Sequence, residues 1–401
     1  MSTVGTIGKE LAVCGAMPVM KTLLRPGQDY FPEWSRYEAA FRDIFERQYY
    51  TNHGPLSQRL EARLAEYLGV GHAMLITNES IALCLAAQAL RLKGKVLVPA
   101  ISDIFTAQSL AWAEAEPVFC DVDAATGMLS AQAAKACLEK DDISAILAVN
   151  AWGGAADAGA LQGLADQYGI PLYFDSSQAF GVSANGARLG ARGALEVFSM
   201  QSAHVLSSGE GAFIATNDDA LAAHVRNIRS NYGMGKLLVP VVKTSNGRFS
   251  EAQAAIALMN FDDLDRHIAN NGVLATGYAQ ALSGVPGVRI REPAGADISN
   301  RQCLVIEIDE GQFGLSGMAL RKVLRAENIE STPRLAAGWY RHGEHAVPAG
   351  ALPVADRLCA SLLELPLGAK TDADTVEAVA GVIRQAHRQA DRIRSMVGGK
   401  A

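Results

Sequence analysis

Short apolar runs alternate with segments of helical periodicity between about residue 56 and residue 260. Residues 56–68 (LSQRLEARLAEYL) and 81–92 place apolar side chains at helical spacing, with a short apolar run at 73–77 between them. Four further runs have the composition of strands buried on both faces, and a helix at 160–168 separates the last two: 95–99 (KVLVP), 117–121 (PVFCD), 145–150 (AILAVN) and 171–175 (PLYFD). This alternation predicts a mostly parallel sheet with helices on both faces.

The pattern changes near residue 250 and indicates a second, smaller unit. Residues 250–264 are helical in pattern, and after residue 283 come two strand-like runs, at 288–290 and 302–308. Helical periodicity then returns at 315–327 and 372–390. We therefore predict an N-terminal segment with a large domain at 1–265 and a small α+β domain at 266–401.

Composition excludes several classes of partner. The 401 residues are 49% hydrophobic and 19% charged, and the net charge of −6 comes from interspersed acids and bases. No basic block suggests nucleic acid, and no apolar stretch reaches the roughly 18 residues of a membrane helix. Residues 1–24 are interrupted by glycines and charges, so we expect no signal peptide.

The six cysteines form no close pair in the sequence, so we expect no zinc or iron–sulfur site and no other bound metal. Reduced thiols in a cytoplasmic protein are the expected state.

Asp175 is the first candidate for chemistry, because it ends a buried strand and begins the segment DSSQAFG at 175–181. Ligands of such sheets bind beyond the carboxyl ends of the strands. A buried carboxylate needs a partner, and a protonated ring nitrogen would be a good one. The alternative is that Asp175 caps the N-terminus of a helix.

Residues 197–213 (VFSMQSAHVLSSGEGAF) resemble the pattern S-F-x-x-x-K-x-L-x-x-G-E-G-G. On this segment the chain is similar to the DegT/DnrJ/EryC1/StrS aminotransferases, which act on keto sugars with pyridoxal phosphate. Further matches extend the resemblance over nearly the whole chain: TNHGP at 51–55, NAWG at 150–153, NG at 185–186, NGRFSE at 246–251, LP at 352–353 and LPL at 365–367.

The resemblance implies an α/β, three-layer fold of aminotransferase type I and a homodimer whose sites span the interface. It also implies that Asp175 pairs with the pyridine nitrogen, Gln178 contacts the ring hydroxyl and Ser199 binds the phosphate. Asn246 would reach the phosphate bound by the partner subunit. Without the resemblance, Ser199 is a serine at a strand end and Asn246 a turn residue.

His204 stands where the family has the lysine that bonds covalently to the cofactor. Histidine cannot form that bond, and Lys236 and Lys243 lie in the wrong segment to replace the lysine. We therefore expect pyridoxal or pyridoxamine phosphate to bind non-covalently. An imidazole exchanges protons near neutral pH, so His204 is the candidate base.

Two other segments depart from the family pattern. Asn78, Glu79 and Ser80 replace a phosphate-binding S-G-T sequence, although backbone N–H groups at a helix start still bind phosphate. Glu79 brings a negative charge near that phosphate unless its side chain points away. Asp103 occupies the position of the aromatic residue that stacks on the ring, and Phe105 would share its face if the chain were extended there.

Three functions are compatible with these residues. The first is dehydration of a keto sugar, as in the branch of the family that has histidine for lysine and removes a 3-hydroxyl from a nucleotide-linked sugar. The second is another lysine-free reaction, such as an unusual amine transfer, and the third is a non-catalytic partner or sensor. The stretch 334–342 would shape the substrate pocket, where Arg334, Tyr340, Arg341 and His342 would either bind a phosphate or carboxylate or be solvated.

Overall fold

The strands that the structure describes form one large and two small sheets. The computed structural model describes residues 4–5, 10–230 and 245–397. The strands within these ranges are β1 (His72–Ile76), β2 (Gly94–Pro99), β3 (Ala115–Cys120), β4 (Ile143–Val149), β5 (Leu172–Asp175), β6 (Ser183–Ala184), β7 (Ala187–Arg188), β8 (Glu196–Ser199), β9 (Ala212–Thr216), β10 (Val288–Arg291), β11 (Leu304–Ile308) and β12 (Leu362–Leu365).

Helices cover the sheets and connect their strands. They are α1 (Trp34–Arg47), α2 (Pro55–Leu68), α3 (Glu79–Ala89), α4 (Ile104–Ala111), α5 (Ala131–Lys140), α6 (Ala158–Tyr168), α7 (Asp219–Arg229), α8 (Glu251–Asp262), α9 (Leu264–Ala281), α10 (Glu310–Phe313), α11 (Gly317–Ala326), α12 (Pro353–Ser361), α13 (Ala373–Arg388) and α14 (Ala390–Val397). Short 3-10 helices lie at Ala12–Cys14 and Trp339–Arg341. No helix in the described ranges is long and apolar enough to span a bilayer.

The large sheet has seven strands in the order β1-β9-β8-β5-β4-β2-β3. Strands β3, β2, β4, β5 and β8 pair in parallel, and β9 runs antiparallel to both of its neighbours. The prediction of a mostly parallel sheet with helices on both faces is confirmed. The parallel strands place their carboxyl ends along one edge, and this edge carries the candidate site.

Strand β3 is less buried than the sequence pattern predicted. The run at 117–121 was expected to be buried on both faces, yet four of the six residues of β3 are half-buried or exposed. The physical reason is position, because β3 is the last strand of the sheet and pairs with β2 alone among the described strands. By contrast, all residues of β5 are buried.

The C-terminal unit is built on the antiparallel sheet β10-β11-β12, against which α9, α11 and α13 pack. The N-terminal segment also packs there: Leu11 and Met20 are buried in this core, and the Glu327 carboxylate accepts hydrogen bonds from the backbone N–H groups of Ala12 (2.6 Å) and Val19 (2.7 Å). The hydrophobic pattern did not indicate this contact. The domain boundary near residue 265, within α9, stays a prediction.

Side-chain caps fix where two helices begin at the functional edge of the sheet. Asn78 follows β1 and accepts a hydrogen bond from the Ile81 N–H (2.9 Å) at the start of α3. Asp103 follows β2 and accepts one from the Phe105 N–H (3.1 Å) at the start of α4. Each such cap stabilises its helix by about 1 kcal/mol. Both helices therefore begin at the carboxyl edge of the large sheet.

Candidate active site

A small cavity of about 10 Å³ lies at the carboxyl edge of the large sheet, which we call the Asp175 cavity. Its volume admits about one water molecule. Its lining comes from four segments after strands of the large sheet, from the loop after β8 and from the C-terminal unit: Glu79, Asp103, Val149, Asn150, Asp175, Ser177, Gln178, His204, Arg334 and Leu335. No lysine is among these lining residues.

Asp175 is buried at the end of β5 and is held by neutral donors. Its Oδ1 accepts hydrogen bonds from the Ser177 N–H (3.1 Å) and Oγ–H (2.6 Å), and its Oδ2 accepts one from the Thr106 hydroxyl (2.7 Å). Burial, and then the nearby charge of Glu79, raise the pKa of Asp175 to about 6. No helix follows Asp175, so the alternative that it is an N-cap is wrong.

Gln178 and Asn150 are fixed by the backbone around the cavity. The Gln178 Oε1 accepts a hydrogen bond from the Trp152 N–H (2.9 Å). The Asn150 amide donates to Ser176 (2.8 Å), and its Oδ1 accepts from the Ala156 N–H (2.8 Å). Both side chains are therefore rigid parts of the wall.

His204 lies in the loop after β8, with its imidazole almost completely buried. Neither ring nitrogen has a hydrogen-bond partner in the described structure. The nearest charged atom recorded for it is the Glu79 Oε2, 3.7 Å from Nε2. A buried imidazole with two free nitrogens in a cavity is available to exchange a proton with a bound molecule.

Glu79 is the first residue of α3, and its carboxylate points into the cavity. Its Oε2 also lies 3.8 Å from Arg334 Nη2. Burial raises the pKa of Glu79, but the neighbouring His204 and Arg334 outweigh burial and hold the pKa below its usual value. The carboxylate therefore remains charged inside the protein.

Arg334 closes the cavity from the C-terminal unit. Its guanidinium donates hydrogen bonds to the Asp103 carboxylate and to the Gln201 Oε1, the latter at 3.0 Å. From the sequence, Arg334 was predicted only as one of several residues that either bind a phosphate or carboxylate or are solvated. Of its companions, Tyr340 and Arg341 instead bind Asp356 and do not line the cavity.

The expectation that Phe105 shares a face with Asp103 in extended chain is wrong. Asp103 is the N-cap of α4 and Phe105 lies in its first turn, so the chain is helical there. The Phe105 ring packs against the core beside α3 and lies 5.7 Å from the Arg334 guanidinium. Phe105 is not part of the cavity wall.

The remaining predicted phosphate ligands lie outside the cavity wall. The Asn78 side chain is used as a cap, Ser80 lies in the first turn of α3, and Ser199 is buried at the end of β8 beside Glu79. Asn246 is exposed and accepts a hydrogen bond from Arg248 Nε (2.8 Å). Their roles stay predictions. Lys236 and Lys243 lie outside the described residues.

Comparison with known proteins identifies the family to which the chain belongs. The profile of the DegT/DnrJ/EryC1/StrS aminotransferase family matches residues 34–384. The chain belongs to this family, whose members are pyridoxal-phosphate-dependent sugar aminotransferases and dehydratases.

Individual relatives are similar over most of their length. The dTDP-4-amino-4,6-dideoxy-D-glucose transaminase of Shigella dysenteriae is 29% identical over 349 residues, covering 85% of this chain and 93% of the transaminase. The structure of DesI in the presence of its TDP-sugar product has a TM-score of 0.89 and 29% identity, covering 96% of this chain and 98% of DesI.

A third comparison concerns the fold alone. The E. coli GDP-4-keto-6-deoxy-D-mannose-3-dehydratase with bound hydrated PLP superposes with a TM-score of 0.79 at 20% identity, covering 90% of this chain and all of the dehydratase. The aminotransferase type I fold predicted from the sequence is confirmed by these superpositions.

The chemistry of the wall fits a pyridoxal-type ring, whereas the present arrangement of two side chains leaves it little room. Asp175 is a buried carboxylate without an ion-pair partner among the described residues, which suits a protonated pyridine nitrogen, and His204 offers unpartnered nitrogens. Glu79 and Arg334 extend into the same space. To admit the ring, these two side chains would have to turn away from the cavity.

Proposed function

We propose that the chain is an enzyme that holds pyridoxal or pyridoxamine phosphate without a covalent bond and removes a hydroxyl group, as water, from a keto sugar carried by a nucleotide. One observation carries the proposal. The buried imidazole of His204 has two unpartnered nitrogens in the same cavity as Asp175 and Gln178, and no lysine lines that cavity.

The roles of the residues follow from their positions. When bound, the cofactor supplies an electron sink for carbon–hydrogen and carbon–oxygen bond cleavage. Asp175 would accept the hydrogen bond of a protonated ring nitrogen, and Gln178 would contact the ring hydroxyl. Ser199 and the N–H groups at the start of α3 would hold the phosphate. His204 would take up a proton at an imidazole nitrogen and deliver it to the departing hydroxyl, which would leave as water.

A second candidate is amine transfer to a keto sugar. It is favoured by the Shigella dysenteriae relative, which is named as a transaminase. A histidine in place of lysine argues against ordinary transamination, because that lysine normally binds the cofactor as a Schiff base and moves the protons of the transfer. A non-catalytic role is the third candidate, and the small volume of the Asp175 cavity favours it.

Cofactor attachment is the first test. Purified protein mixed with pyridoxal phosphate should bind it reversibly, and borohydride treatment followed by peptide mass spectrometry should leave no cofactor on any lysine. The reason is that the cavity wall contains no amine. A reduced adduct on Lys236 or Lys243 would contradict the proposal, because an amine would then reach the ring after all.

The reaction is tested on the pyridoxamine form. Mixed with 4-keto sugar nucleotides, the protein should yield a deoxy sugar nucleotide lighter by one oxygen atom, measured by mass spectrometry. Pyridoxal phosphate and ammonia should form with it, because the two electrons and the amino group come from the pyridoxamine form. An aminated sugar instead would establish the second candidate. Absence of any product with bound cofactor would favour the non-catalytic role.

We also propose a homodimer, in which Asn246 completes the phosphate site of the partner subunit. The support is the family resemblance together with the exposed position of Asn246. Sedimentation should show a dimer, and Asn246→Ala should weaken cofactor binding by about 10-fold, the value of one hydrogen bond to a charged group, without dissociating the dimer. A monomer with full cofactor affinity would exclude the shared site.

A further inference from the structure

We infer that the Glu79 carboxylate keeps the Asp175 cavity closed by pairing with His204 and Arg334. A ring that carries a phosphate then enters the cavity only when Glu79 is displaced. The inference rests on the proposed function, since it concerns how that cofactor binds. Glu79 would thus control the affinity of the protein for the cofactor.

The position of the carboxylate is the first support. Glu79 begins α3, where the backbone N–H groups are the expected phosphate ligands, and its side chain is 3% exposed. Ser199, the other predicted phosphate ligand, is buried beside it. One internal carboxylate therefore lies where an incoming phosphate would have to bind.

The weakness of the pairing is the second support. The Oε2 atom lies 3.7 Å from His204 Nε2 and 3.8 Å from Arg334 Nη2, beyond hydrogen-bond distance, and it has no hydrogen-bond partner. Ion pairs at such distances are weaker than charge-assisted hydrogen bonds. A phosphate, with more oxygens and more charge, forms stronger charge-assisted bonds to an arginine and displaces the carboxylate.

The third support is that the contacts that close the cavity connect the C-terminal unit with the large sheet. Arg334 belongs to the C-terminal unit, whereas Glu79 and Asp103 belong to helices of the large sheet. Asp103 keeps Arg334 in place while Glu79 fills the cavity. Loading the ring thus requires Glu79 to leave and Arg334 to change partner, without unfolding either unit.

Two variants of the full chain separate charge from bulk. Glu79→Gln keeps the size and removes the charge, and Glu79→Gly removes both and restores the middle residue of the S-G-T pattern. Glu66→Gln, on the exposed face of α2, is the matched control. Thermal unfolding of each variant confirms that it is folded before binding is measured.

The dissociation constants of pyridoxal phosphate and of pyridoxal are measured by fluorescence titration. We expect pyridoxal phosphate to bind about 10- to 100-fold more tightly to Glu79→Gly than to the parent, with Glu79→Gln between them and Glu66→Gln unchanged. The gain should be smaller for pyridoxal, because it has no phosphate to compete for the donors.

Each other result overturns the inference. If pyridoxal phosphate bound equally tightly to the parent and to the variants, the proposed function would stand. The result would show that Glu79 does not close the cavity. An equal gain for both probes would show that only bulk matters. No binding to the parent or to either variant would overturn both the inference and the proposed use of the cofactor.

Discussion

Replacing His204 with asparagine is expected to lower the turnover of the keto-sugar reaction by about 10²–10⁴-fold, the usual contribution of one general base. Asparagine has similar bulk and polarity but cannot take up the proton. The imidazole makes no hydrogen bond within the described residues, and its contact with Glu79 is long at 3.7 Å, while Arg334 still pairs with Glu79 in the variant. The fold and the affinity for the cofactor should therefore stay nearly unchanged. The effect should therefore appear in turnover and not in binding.

The measurement is the single-turnover decay of the bound pyridoxamine form with a keto-sugar nucleotide. His345→Asn, at an exposed position, is the control and should match the parent. His204→Lys should behave differently, because an amine at this position can be fixed to the cofactor by borohydride. A His204→Asn variant as fast as the parent would remove His204 from the mechanism.

The sheet could be predicted from the sequence because its strands are nearly uniform apolar runs between helical segments. Asp175 was found in the same way, since a carboxylate that closes a buried strand is unusual on chemical grounds alone. The edge position of β3 could not be predicted, because strand order depends on contacts between distant segments. The same applies to the packing of the N-terminal segment on the C-terminal unit.

Within the site, the sequence identified the unusual residues but not their arrangement. Glu79 and Asp103 stood out as departures from the family pattern, yet only the structure shows that Arg334 lies near both of them. Arg334 is more than 200 positions away from either residue, so no local pattern connects the three. Phe105 was misplaced because a cap at Asp103 starts a helix where an extended chain was assumed.

Asp175→Asn is expected to remove a loss of stability that the parent shows as the pH rises, and to weaken the binding of the cofactor. In the cofactor-free protein, burial and the charge of Glu79 raise the pKa of Asp175 to about 6, against roughly 3.9 in an unfolded chain. The contribution of this group to stability is therefore full below about pH 4, falls as the pH rises, and is lost above about pH 6. The difference corresponds to roughly 2–3 kcal/mol.

Urea unfolding between pH 4 and pH 8 measures the first effect. The free energy of unfolding of the parent should fall by that amount between pH 4 and pH 6 relative to Asp175→Asn, whereas the exposed control Asp142→Asn should follow the parent. A variant whose stability shows the same decline would mean that Asp175 does not titrate in this range.

The second effect is on binding, because the same carboxylate that is costly in the empty cavity gains a partner when a protonated pyridine nitrogen binds. Asparagine cannot keep that nitrogen charged, so Asp175→Asn should bind pyridoxal phosphate about 10- to 100-fold more weakly by titration. Unchanged affinity would show that the ring nitrogen does not meet Asp175. The charge of Asp175 lowers the stability of the empty protein but strengthens the binding of the ring. This combination is expected of a residue in a ligand site and not of a purely structural residue.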